Sequence, residues 1–224
     1  SEANVTFTAR FIEDKLYQAE QAKDAFDEAQ KKDSLTWAIL TDALNAYDAV
    51  PDFLTQVEDI DGLLTDEEKT DLDTRFKVLT DYYNDIKALD LSGQDLGSAD
   101  LAELDFFTGL TDLDLSGCTA LTDLSGLSDL ENLKTLNLSN TGVTDLSGLS
   151  SLTQLETLDI SGTGVTTLDS LVSEDNASFP GSKNLTAQNL TLDSISALAN
   201  LVSADGFNTD AITKWDFTGS TLPP

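Results

Sequence analysis

Apolar residues keep two different rhythms along this chain. Up to about residue 86 they recur every three or four positions, the period of an amphipathic helix. Phe7, Phe11, Leu16, Ala19, Ala22, Phe26 and Ala29 form one stripe, with Asp, Glu and Lys opposite, until KKDS interrupts at 31–34. Trp37, Leu40, Leu44 and Tyr47 predict a second helix, stopped at Val50-Pro51 because the residue before a proline disfavours helix. Phe53, Leu54, Val57 and Ile60 predict a short third one, closed by Asp61-Gly62. Thr65 and Glu68 have the spacing of a capping box, and the helix they open carries Leu72, Phe76, Leu79, Tyr83 and Ile86. Such helices on short loops predict a bundle over residues 1–87.

From 88 to 224 the rhythm is different. The frame L-x-x-L-x-L-x-x-[N/C/T]-x-L begins at Ile86, Leu89, Leu91 and Leu96. It returns at Leu110, Leu113, Leu115, Cys118 and Leu121, then at Leu133, Leu136, Leu138, Thr141 and Val143. A fourth copy is Leu155, Leu158, Ile160, Thr163 and Val165. Two looser copies follow: Leu185, Ala187, Leu190 and Leu192, then Ile212, Trp215, Phe217, Ser220 and Leu222. Aligned on the second leucine, the copies step by 24, 23, 22, 27 and 30 residues. L-x-L predicts a short strand with alternate residues inward. DLSGLSDL (123–130) and DLSGLSSL (145–152) predict a tight return turn that refills the core. Each unit leaves apolar faces open, so the units must stack. Insertions at 173–184 and 203–211 predict protruding loops.

The frame resembles the leucine-rich repeat family, whose units run about 20–29 residues. The DLSGLSxL return is similar to the internalin branch, surface proteins of Gram-positive bacteria with a helical segment before the first repeat. The resemblance implies an α/β solenoid of about six repeats with short parallel strands, preceded by an α-helical bundle or cap. It also implies an extracellular or wall-associated module that binds a protein or glycan and performs no catalysis. The final copy stops at Pro224, and solenoid ends need a polar cap. That predicts either a longer parent protein or an ending built from Trp215 and Phe217.

Charge narrows the partners. The chain carries 41 acidic and 12 basic residues, net −29 over 224 residues. Residues 1–87 hold 9 of the basic residues against 21 acidic ones; the remainder holds 3 against 20. This balance opposes binding to phosphate backbones and to anionic membrane surfaces. No apolar run is long enough to span a bilayer. There is no histidine, the commonest general base and metal ligand, and Cys118 is the single cysteine. Cys118 fills the turn slot, so it reads as a structural thiol. VEDIDGLLTDEE (57–68) has part of an EF-hand spacing, but Val57 stands at the first ligand position, which leaves a turn and a helix cap.

In leucine-rich repeats the outward strand residues usually meet the partner. The central column here is Asp90, Asp114, Asn137, Asp159, Thr186 and Asp216, followed by Ser92, Ser116, Ser139, Ser161, Gln188 and Thr218. The column before the strand is Lys87, Thr111, Lys134, Glu156, Lys183 and Thr213. The candidate binding residues are thus Asp90, Asp114, Asn137, Asp159, Asp216, Lys134 and Glu156. Strands stack about 4.8 Å apart, so Asp90 and Asp114 face each other as like charges. The column then either holds calcium, meets a cationic or hydroxyl-rich partner, or serves solubility alone. It has no Trp, Tyr or Arg, the residues enriched in hot spots. Binding through the insertions, with Phe179 and Phe207, or through the helical domain stays open. So do two other roles: a spacer projecting other domains from the wall, and an intracellular scaffold. A monomer is expected in each case.

Overall fold

The computed structural model describes residues 2–50, 65–171, 184–193 and 214–222, with the side chains of 2–10, 12, 214 and 215 excepted. The predicted helix over 53–60, the two insertions with Phe179 and Phe207, and Ile212 lie outside the described residues. The chain forms two compact units, Ser1–Tyr83 and Asn84–Pro224.

The first unit contains α1 (Glu2–Lys31), α2 (Trp37–Asp48) and most of α3 (Asp66–Asn84). α1 buries Leu16, Ala19, Phe26 and Ala29 of its predicted stripe, while Phe11 stays 37% exposed. Thr36 caps α2 by accepting from the Ile39 N–H at 3.3 Å. The capping box opens α3 in both directions. Thr65 N–H donates to Glu68 Oε2 at 2.7 Å, and Glu68 N–H donates to Thr65 Oγ1 at 3.2 Å. The Thr65 N–H, together with the Thr65 hydroxyl donating to Glu68 Oε2 at 2.8 Å, holds the Glu68 carboxyl below its ordinary pKa. The core is an aromatic cluster. Tyr47 stacks on Phe76 at 5.3 Å between ring centroids and meets Tyr83 edge-on, and Phe26 meets Tyr82 and Tyr83 edge-on. Polar groups tie the helices at its rim. Arg75 grips Glu20 through two bonds of 2.8 and 2.9 Å, and Tyr47 and Thr80 share a hydrogen bond of 2.9 Å.

The second unit is a parallel sheet whose strands follow chain order without a crossover: β1 (Ala88–Asp90), β2 (Asp112–Asp114), β3 (Thr135–Asn137), β4 (Thr157–Asp159), β5 (Asn184–Thr186) and β6 (Lys214–Asp216). The register pairs Leu89, Leu113, Leu136, Leu158, Leu185 and Trp215 in one row. This is the row on which the sequence repeats align. In the first five copies the later leucine slots are also buried: Leu91, Leu115, Leu138, Ile160 and Ala187 in one layer, Leu96, Leu121, Val143, Val165 and Leu192 in the next. The chain returns through 3₁₀ turns at Ser98–Phe106, Ser125–Leu127, Ser147–Leu149 and Asp169–Leu171. The first of these runs over nine residues, three times the length of the others, and the repeat frame did not predict it.

The second and third return turns stack so closely on the turn before that their central slot has no room for a Cβ. A Cβ on Gly126 would lie 2.7 Å from Leu101 Cβ, and one on Gly148 would lie 2.6 Å from the Leu124 carbonyl carbon. That is why DLSGL repeats its glycine. The fourth turn has Ser170 in this slot, and its hydroxyl donates instead to Asp145 Oδ1 of the preceding turn at 3.1 Å.

Candidate interaction face

Each strand is three residues long, and in β1 to β5 the middle residue is buried with its two flanking residues on the other face. Asp90, Asp114, Asn137, Asp159, Thr186 and Asp216 therefore form the continuous outward row that alternation predicts, one per strand, in register. The second outward row is Ala88, Asp112, Thr135, Thr157 and Asn184, the first residues of β1 to β5. Sequence reasoning passed over this row in favour of Lys134 and Glu156, which lie one residue before their strands. Counting one step either side of the buried leucine would have found it, because the strand period is two. The Lys134 carbonyl instead binds the repeats together, accepting from the N–H groups of Glu156 and Thr157 at 2.8 and 2.9 Å.

The acidic row has a function inside the fold. Asp90 Oδ1 accepts from Ser92 N–H at 2.9 Å, and Asp114 Oδ1 accepts from Ser116 N–H at 2.8 Å. Asn137, Asp159 and Asp216 do the same with the N–H two residues on, at 3.0, 2.9 and 3.0 Å. This is an Asx turn, in which a short side chain imitates a backbone acceptor and bends the chain. It ends the strand. One residue beyond the bonded N–H, every repeat has positive φ: Gly93, Gly117, Asn140, Gly162, Asn189 and Gly219. Glycine and asparagine fill this place because other L-residues pay a steric penalty there.

Neighbouring rungs are cross-linked as well. Asn137 Nδ2 donates to Asp114 Oδ2 at 3.1 Å, placing a neutral donor between the carboxylates of Asp114 and Asp159. Gln188 Nε2 donates to Asp216 Oδ2 at 2.9 Å. Asn184 Nδ2 donates to Thr157 Oγ1 at 3.2 Å. The strip is thus built of short polar side chains whose orientation is set by the backbone and by each other. Among the described residues, no group of three or more Asp, Glu, Cys or His side chains is placed to hold a metal ion. No described helix is long and apolar enough to cross a membrane.

The turn slot behind the strands is equally committed. Cys118 is fully buried, its Sγ donates to the Leu91 carbonyl of the preceding repeat at 3.2 Å, and burial pushes its thiol pKa up. Thr141 Oγ1 and Thr163 Oγ1 each donate to a carbonyl three residues back at 2.8 Å. Ser220 Oγ both donates to the Ala187 carbonyl at 2.7 Å and accepts from Leu190 N–H at 3.0 Å.

A uniform parallel register, a buried leucine row and a tight return turn after each of the first four strands define a leucine-rich-repeat solenoid, preceded in the chain by a helical region. Residues 131–173, which hold the third and fourth copies of the frame, match the family model for leucine-rich repeats in pairs. Among solved structures the chain is similar to internalin C2 of Listeria monocytogenes, with 26% identity over 61% of this chain and 60% of that one, and a TM-score of 0.46. It is also similar to a second internalin (inlF) of the same organism, with 22% identity over 55% of this chain and 41% of that one, and a TM-score of 0.42. The chain therefore spans about three fifths and two fifths of those two proteins. No curated protein matches it.

Proposed function

We propose that this chain is a non-catalytic protein-interaction module of a bacterial cell surface, and that its partner docks on the outward strand face. The observation that carries the reading is the pair of outward polar rows held in strict register across the described strands. A surface with orientations fixed in advance loses little conformational entropy on binding, and that is the general advantage of a preorganised interface. The net charge of −29 favours a partner with a basic face and disfavours nucleic acid. The internalin-like return turn supports an extracellular or wall-associated location and a protein partner, with a glycan as the alternative. The module acts as a monomer and requires no cofactor.

One observation favours a second reading, a spacer that projects other domains. The acidic row spends its acceptors on its own turns, and no aromatic side chain is found in the outward rows. The test separates the two. A chain with Asp112→Lys, Thr135→Lys and Thr157→Lys loads the second outward row with positive charge, keeps every Asx turn and leaves the leucine core untouched. It should retain the far-ultraviolet circular dichroism of the wild type. Binding to a panel of immobilised host and bacterial surface proteins, measured by biolayer interferometry, should then be lost or retargeted. Binding unchanged by the triple substitution would exclude the strand face, and a wild-type chain that binds nothing on the panel would leave the spacer as the better account.

A further inference from the structure

No further inference is drawn: the strongest candidate, the apolar end of the solenoid beyond β6 where Leu222 is 46% exposed although its counterparts Leu96, Leu121, Val143, Val165 and Leu192 are buried, carries nothing because the structure does not show what covers it.

Discussion

The helical unit and the solenoid bury similar residues by opposite means. In the solenoid a residue's role follows from its slot. Leu113, Leu136 and Leu158 are equivalent, each packed between a copy of itself above and another below. In the helical unit no position repeats. Phe26 is buried where Tyr82 and Tyr83 on α3 meet its ring edge-on. A repetitive core is read from local sequence, since the same answer is written several times. A bundle core depends on which helix faces meet, and that is a long-range property.

The contrast is sharpest at single core residues. Phe26→Ala should cost about 3–5 kcal/mol, because it empties a fully buried site where the ring meets Tyr82 and Tyr83 edge-on. Leu136→Ile should cost less than about 1.5 kcal/mol, because Ile160 already serves in the next inward layer of the same coil. Urea denaturation of each variant measures both. A slot-dependent solenoid would be refuted if the isoleucine variant were as unstable as the alanine one.

The return turns provide a comparison within the solenoid. Gly148→Ala drives a methyl group against the Leu124 backbone, and we expect a loss of about 1–3 kcal/mol. Ser170→Gly, at the equivalent place one turn later, exchanges one exposed hydrogen bond for a more flexible backbone and should cost about 1 kcal/mol at most. Differential scanning calorimetry should therefore rank the two variants clearly apart. Similar shifts would mean that the turns do not stack as tightly as their geometry indicates.

The acidic row yields a smaller effect with a distinctive signature. Asp159→Ala removes the acceptor for Ser161 N–H and should cost about 1 kcal/mol. Asp159→Asn keeps the acceptor, as Asn137 does naturally, and should be close to neutral. A column whose purpose were charge alone would show the reverse, with asparagine and alanine equally altered. The smallest effect is expected in acid. Glu68 and Asp145 both have folded pKa values below the ordinary range, Glu68 through its bonds to Thr65 and Asp145 through the N–H and hydroxyl of Ser147. A depressed carboxyl pKa contributes stability that is complete above the unfolded value and is lost as pH falls through the folded one. Below roughly pH 4.3, an ordinary glutamate pKa, melting temperature should begin to decline. Glu68→Gln should flatten the upper part of that decline, and both groups are too exposed for a large share of it.

How much was legible differs by element. The six-copy frame predicted the leucine row, the buried layers and the central outward row, because burial imposes a period of two on a strand and stacking brings the frame back every 22 to 30 residues. Thr65 and Glu68 were equally clear, since a capping box is a contact across three residues. The outward row through Thr135 and Thr157 was within reach of the same counting and was displaced by neighbouring charges. The structural use of the acidic row was legible but overlooked. Asp-x-Ser occurs five times, at Asp90, Asp114, Asp123, Asp145 and Asp159, and each aspartate bends back to the serine N–H, two of them outside the strands.

By itself the sequence determined that this protein is a helical segment followed by a coil of leucine-rich units, and which side chains of that coil point inward. Local spacing suffices for this, since hydrophobic burial acts on every repeat alike. Tertiary structure alone decided that Gly148 has no room for a methyl group, that Asn137 donates to Asp114 across the strands, and that Phe26, Tyr47, Phe76 and Tyr83 form one cluster. Each of these depends on a distance between residues more than 20 positions apart in the chain, and no local pattern encodes such a distance.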